Sequence, residues 1–155
     1  MKFICSLIVV EDVAKARHLY ETVLKQKVVA DFGENVAFQG FAIHKRAHYK
    51  GLINDKTIVP GSNAFELYFE EDDMEKLAQE LKAGGFEFVH ELREQPWKQK
   101  VLRFYDYDKN IIEIGERLEH TAYRLSLGGV SLEEISRITY LPVDKVKAAI
   151  AEYSS

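Results

Sequence analysis

At 155 residues the chain has room for one principal domain and a short accessory segment, which argues against two full-sized domains. Its composition, 46% hydrophobic and 30% charged with three prolines, is that of an ordinary globule and excludes a disordered or collagenous chain. A net charge of -4 argues against the broadly cationic surface that condenses on nucleic acid or anionic lipid, so a small-molecule partner is expected instead. The only cysteine, Cys5, allows no internal disulfide and no thiol zinc knuckle, and it points to a reducing cytoplasm. No apolar run reaches the roughly 18 residues that cross a bilayer, so no membrane association is expected.

Phe3 to Val10 is rich in Ile and Val and reads as a buried strand rather than a leader, because no basic segment or cleavage site accompanies it. Asp12 stands where a helix N-cap belongs, and Val13, Ala16, Leu19, Tyr20 and Leu24 follow at helical spacing. Lys27 to Phe32, Asn35 to Gln39 and Phe41 to Lys45 then read as three short strands of an antiparallel meander, divided at Gly33-Glu34 and Gly40. His48 to Ser62 loses periodicity and reads as a connecting loop.

The pattern then starts again. Ala64 to Phe69 reads as a strand and Glu70 to Asp73 as an acidic cap, before a helix carried by Met74, Leu77, Ala78 and Leu81 and closed by Gly84-Gly85. Phe86 to Leu92, Lys100 to Tyr105 and Ile111 to Gly115 supply three more strands, the last two joined by the turn Asp106 to Asn110. Two β-α-β-β-β modules, about 1–50 and 62–116, therefore share one chain and define an α+β fold.

Beyond Glu116 the pattern is helical. Leu118, Ala122, Leu125 and Leu127 lead to Gly128-Gly129; Ser131 to Glu134 forms a capping box ahead of Ile135 and Ile138; and Pro142 opens a third helix. The stretch "VSLEEISRITYLPVDKVKAAI" resembles a helix-turn-helix, but residues 117–155 carry five basic and five acidic side chains, with Asp144 where phosphate would approach. That balance argues against nucleic acid and leaves the extension, 117–155, to cover the sheet, cap the cleft or join subunits.

The segments "LIVVEDVAKARHLYETVL", "FELYFEEDDMEKLAQELKAGGFEF" and "QPWKQKVLRFYDYDKNIIEIGE", in that order, resemble the vicinal-oxygen-chelate superfamily of glyoxalase I, bleomycin-resistance proteins and extradiol dioxygenases. The resemblance covers residues 1–116 and implies two curved sheets enclosing a cleft, a small-molecule ligand and a homodimer. In metal-dependent members the first and last strands of each module supply the ligands. Carried over, this implies Cys5, His44, Glu66 and Glu113 around one divalent ion, Zn, Ni, Mn or Fe, in a lyase, isomerase or dioxygenase. Internal symmetry supports the set, since Glu66 lies seven residues before Asp73 as Cys5 lies seven before Asp12.

Cys5 and Glu66 depart from the histidine or glutamine of glyoxalase I, which argues against that activity. Superfamily members without the metal set bind drugs or metabolites. On that alternative no cofactor is needed, Cys5 is a small hydrophobe and His44 bonds Glu66 or Glu113 directly. Either way Glu113 and Glu66 are the expected proton-exchanging, catalytic groups. Tyr68, Trp97, Tyr105 and Phe38 are candidate ligand-binding aromatics, with core the alternative for Tyr105 and Phe38. His18, His48, His90 and His120 read as surface residues without partners at ligand spacing.

Overall fold

The computed structural model describes residues 1–155. Its elements run β1 (Ser6–Val10), α1 (Val13–Arg17), β2 (Val28–Asp31), β3 (Asn35–Phe38), β4 (Phe41–Lys45), α2 (Arg46–Leu52), β5 (Glu66–Glu70) and α3 (Met74–Ala83). They continue with β6 (Phe88–Glu94), β7 (Lys100–Tyr105), β8 (Ile111–Gly115), α4 (Leu118–Leu127), α5 (Leu132–Thr139) and α6 (Val143–Tyr153). Two four-stranded sheets result, ordered β1-β4-β3-β2 and β5-β8-β7-β6, so the expected duplication is present down to strand order. The chain divides into two compact units, residues 1–65 with 105–111 and residues 66–104 with 112–155.

In the first unit β1 runs parallel to β4 with Ile8 opposite Ile43 and Val9 opposite His44, while β3 is antiparallel to both β4 and β2. Ile8, Val10, Val36 and Ile43 are buried, and the Tyr20, Phe38 and Phe41 rings cluster, with Phe38 and Phe41 stacked at 4.7 Å. Asp12 caps α1 by accepting from the Lys15 N–H at 3.0 Å. The turn after β7 is pinned here: Asp106 is buried and accepts from the Tyr20 hydroxyl at 2.9 Å and from the Asp108 and Asn110 N–H groups at 2.9 and 2.8 Å.

Three local expectations are corrected. The first strand begins at Ser6, not Phe3, and Phe3 and Ile4 are exposed. The first helix passes into a π-helical stretch over His18–Val23, which places Leu19 and Tyr20 in the core. A short helix, α2, occupies the start of the segment read as loop; none of its residues is buried, so it shows no apolar stripe in sequence.

In the second unit Leu67 is buried and Phe69 half-buried on β5, whereas Glu66 and Tyr68 are exposed, the alternation of a strand with two unlike faces. Ile112, Ile114, Leu102 and Phe104 fill the core with Met74, Leu77 and Leu81 of α3. Asp73 caps α3 through the Lys76 N–H at 3.2 Å, repeating the role of Asp12. At its other end Gly85 has φ +73°, and the Gly85 and Phe86 N–H groups bond back to Lys82 and Leu81.

The last three helices have a small core of their own, Ala122, Ile135 and Val146, packed by Leu125, Val130, Leu132, Leu141 and Ile150. They are also tied to the rest of their unit by charge. Glu116 is 1% exposed and its carboxylate accepts from the Lys100 N–H, the Thr121 hydroxyl and Arg124 Nε and Nη2, with His120 Nδ1 at 2.8 Å. Asp72 bonds Arg117 Nε at 2.9 Å and the Tyr153 hydroxyl at 2.8 Å, and Tyr153 stacks on Tyr123. His120 is thus partnered, contrary to expectation.

Candidate functional site

The strand pattern puts three ionisable side chains of the second sheet around one guanidinium. Arg103 on β7 donates from Nε to Glu66 Oε2 on β5 at 3.0 Å, and from Nη2 to Glu113 Oε2 on β8. Its remaining nitrogen, Nη1, stands 3.2 Å from His90 Nε2 on β6. His90 Nδ1 lies 2.9 Å from the Glu91 carbonyl, so Nδ1 carries the ring proton and Nε2 presents a lone pair to Arg103.

The two carboxyls differ because their solvation differs. Burial, with Glu66 alongside, pushes the Glu113 carboxyl up to about 7, although Arg103 pulls the other way. Glu66, held by the Arg103 hydrogen bond, lies below the usual carboxylate range. Side-chain exposures of 11% for Glu113 and 40% for Glu66 decide which of the pair keeps a proton. Arg103 is partly desolvated, but its two carboxyl partners keep its charge more firmly held than usual.

A second chain of hydrogen bonds runs alongside. Trp97 Nε1 donates to Gln99 Oε1 at 2.9 Å, and Gln99 Nε2 donates to the Tyr68 hydroxyl at 3.1 Å and to the Glu116 carbonyl at 2.7 Å. The Tyr68 hydroxyl donates to Glu70 at 3.1 Å, and burial together with Glu70 raises its pKa to about 12. Gly115 makes room for this arrangement: a Cβ there would lie 2.7 Å from Tyr68 Oη and 2.9 Å from Gln99 Nε2. Tyr68 and Trp97 nonetheless keep 48% and 45% of their surface open.

In the first unit His44 is 6% exposed at the end of β4. Asn35 Nδ2 donates to its Nδ1 at 3.0 Å, so Nε2 carries the proton and donates to His48 Nδ1 at 2.7 Å. Burial first, then the neighbouring His48, lowers the His44 pKa. His44 is thus held by partners within its own unit, and His48, read as unpartnered, also lies 3.5 Å from Glu34. Cys5 sits half-buried just before β1.

Phe38 packs in the core at 3% exposure, which removes it from any ligand surface. Tyr105 donates to Asn63 at 2.8 Å under the Lys109 ammonium. Sequence reasoning missed Arg103 and His90. The signal for Arg103 was a charge in mid-strand within "VLRFY".

No three histidine, cysteine, aspartate or glutamate side chains stand close enough together to hold a metal ion. Both nitrogens of His44 are engaged by protein partners, and Glu66 and Glu113 already share a cation in Arg103. The donors implied for a divalent ion do not, as they stand, fit one.

Duplicated β-α-β-β-β modules in two four-stranded sheets define the vicinal-oxygen-chelate superfamily, in the glyoxalase, bleomycin-resistance and dioxygenase group. The glyoxalase-like domain matches residues 3–119, and the chain belongs to that family. A protein of unknown function from Agrobacterium tumefaciens is 35% identical, with a TM-score of 0.67 over 75% of this chain and 94% of that one. A lactoylglutathione lyase from Agrobacterium tumefaciens shares the fold at 16% identity and a TM-score of 0.53, over 75% of this chain and 93% of the other. A fosfomycin resistance protein from Mesorhizobium loti does so at 16% identity and 0.55, over 74% and 91%. No curated protein sequence is similar enough to match. No helix is long and apolar enough to cross a membrane.

Proposed function

We propose that the protein binds a small organic molecule on the face of its second sheet that carries Glu66, Tyr68, Arg103 and Glu113, with Trp97 beside it. The observation that carries this is one cluster in which Arg103 joins Glu66 and the buried Glu113 next to two open aromatic side chains, with burial pushing the Glu113 carboxyl up to about 7. Perturbed ionisable groups beside apolar contact surface are what a ligand site needs, polar atoms for orientation and rings for area. Within it Glu113 acts as proton donor and Glu66 as acceptor to a bound oxygen or nitrogen group, the roles their solvation suits. Membership of the glyoxalase-like family supports a small-molecule role, and the neutral, internally tied C-terminal helices support a structural one for residues 117–155.

A homodimer in the cytoplasm completes the proposal. Exposed Phe3, Ile4 and Leu7, on and before edge strand β1, are apolar surface of the kind a second copy covers. A thermal-shift screen of small carboxylic acids, amides and phosphate esters tests the ligand reading. A hit that stabilises the wild type and loses its effect in Glu113→Gln is expected. Hits indifferent to Glu113→Gln and to Tyr68→Ala place the site elsewhere.

A further inference from the structure

We infer that the C-terminal extension shapes the ligand face of the second sheet through one side chain: Arg124 of α4 is a positioning residue that holds the turn between β6 and β7 and so places the Trp97 ring. This rests on the site proposed above, but its main test reads Trp97 with no small molecule present, so the two fail separately. Arg124 lies beyond the glyoxalase-like match, which ends at residue 119.

The turn is poorly held from within. Pro96, Trp97 and Lys98 are all exposed, so burial does not fix its tip. The Lys98 N–H bonds the Gln95 carbonyl at 2.8 Å and the Gln95 N–H bonds the Gln99 carbonyl at 2.9 Å. Lys98 has φ +69°, the left-handed position that a short hairpin turn normally gives to glycine. Arg124 supplies support from outside. Its Nη2 donates to the Lys98 carbonyl at 2.6 Å and its Nη1 to Glu94 Oε2 at 3.2 Å, so it grips the left-handed residue and the end of β6 at once. The guanidinium is itself fixed, because Nε and Nη2 meet the two oxygens of the buried Glu116 carboxylate at 2.9 and 2.8 Å. A second tie ends on the same residue: the Trp97 indole N–H donates to Gln99, and Gln99 donates to the Glu116 carbonyl and to the Tyr68 hydroxyl. The two open rings of the ligand face are therefore set from Glu116 and Arg124. A lysine at 124 keeps the charge opposite Glu116 but, as a point donor, cannot span Glu116, Glu94 and the Lys98 carbonyl together.

The chain has one tryptophan, so a single indole N–H resonance reports the turn. The test follows that resonance by NMR in wild type, Arg124→Lys, Glu94→Ala and, as control, Arg137→Lys, which alters an ion pair within α5. Arg124→Lys is expected to move the resonance toward its position in the unfolded chain and to speed its exchange with water, while the amides of Ile112 and Ile114 stay in place. Glu94→Ala, which keeps the tie to the Lys98 carbonyl, is expected to move it less in the same direction, and Arg137→Lys not at all. If Arg124→Lys does not fold, Glu94→Ala carries the decision. An indole unmoved in the folded Arg124→Lys protein, or in Glu94→Ala where that protein is unfolded, overturns the inference, as does an equal shift in Arg137→Lys. Benzamide titrated into the same samples adds a binding readout: its affinity is expected to fall in Arg124→Lys together with the indole shift, and equal affinity in a variant whose indole has moved overturns the inference. Benzamide that leaves the wild type unmoved counts against the ligand face, and the indole readout then decides alone.

Discussion

Glu66 and Glu113 accept hydrogen bonds from the same guanidinium, yet one holds its charge and the other its proton. Glu113, in the middle of β8, is raised first by burial and then by Glu66 beside it, whereas Glu66, opening β5 at the surface, is held down first by the Arg103 hydrogen bond. A side-chain carboxyl titration by NMR is expected to place Glu113 at about 7 and Glu66 below the ordinary carboxylate range.

The same shift fixes a pH dependence of stability. Between the ordinary 4.5 and about 7 the unfolded chain releases a proton that folded Glu113 keeps, so this group lowers stability as pH rises through that window. Glu113→Gln lacks this loss. Its melting temperature relative to wild type is expected to climb between about pH 5 and about pH 8; a constant difference would show Glu113 to be an ordinary surface acid.

His44 works in the opposite sense. Its folded pKa is depressed from 6.5, so as pH falls through and below that value the unfolded chain takes up a proton that the folded protein resists. The stability given by neutral His44 is therefore present above that window and lost on acidification. Urea unfolding of wild type is expected to weaken over this range, with His44→Gln, which keeps no ionisable ring beside His48 and Glu34, weakening less.

Glu116 is buried as an ion, and although burial pushes its pKa up, Arg124, the Lys100 N–H and Thr121 outweigh that and hold it down. Glu116→Gln keeps the shape but removes the charge facing Arg124 and turns one acceptor into a donor. A destabilisation of about 3–5 kcal/mol is expected by denaturant unfolding.

Gly115→Ala places a methyl where Tyr68 Oη and Gln99 Nε2 now stand. Because Tyr68 is half-exposed it can swing away, so the expected cost is small for overpacking, about 1 kcal/mol, with the Tyr68 to Gln99 bond lost. The fluorescence of Trp97, linked through Gln99, reports that loss directly.

Much of this fold was legible because its signals are local. Asp12 and Asp73 announce two helices by the same capping chemistry, and the alternation in "FELYFE" separates Leu67 from Glu66 and Tyr68. The corrections fall where the determinant is not local. α2 buries nothing and so carries no stripe, and the π-helical turn after Arg17 depends on the core that receives Tyr20. At the site, symmetry between modules led to Glu66 and Glu113 but also to Cys5 and His44. Arg103 and His90 lie on strands that the symmetry argument did not weigh, and their meeting depends on cross-strand neighbours, β7 beside β6, with a register shift between Phe88 and His90.

The central claim is that the Glu66, Arg103 and Glu113 cluster is where a small molecule binds, and mapping bound fragments by backbone amide NMR tests it most directly. Small carboxylic acids and amides titrated into isotope-labelled protein are expected to shift the amides of Glu66, Tyr68, Arg103 and Glu113 saturably, with the response lost in Glu113→Gln. Saturable shifts confined to other strands, and unchanged in that variant, would contradict it.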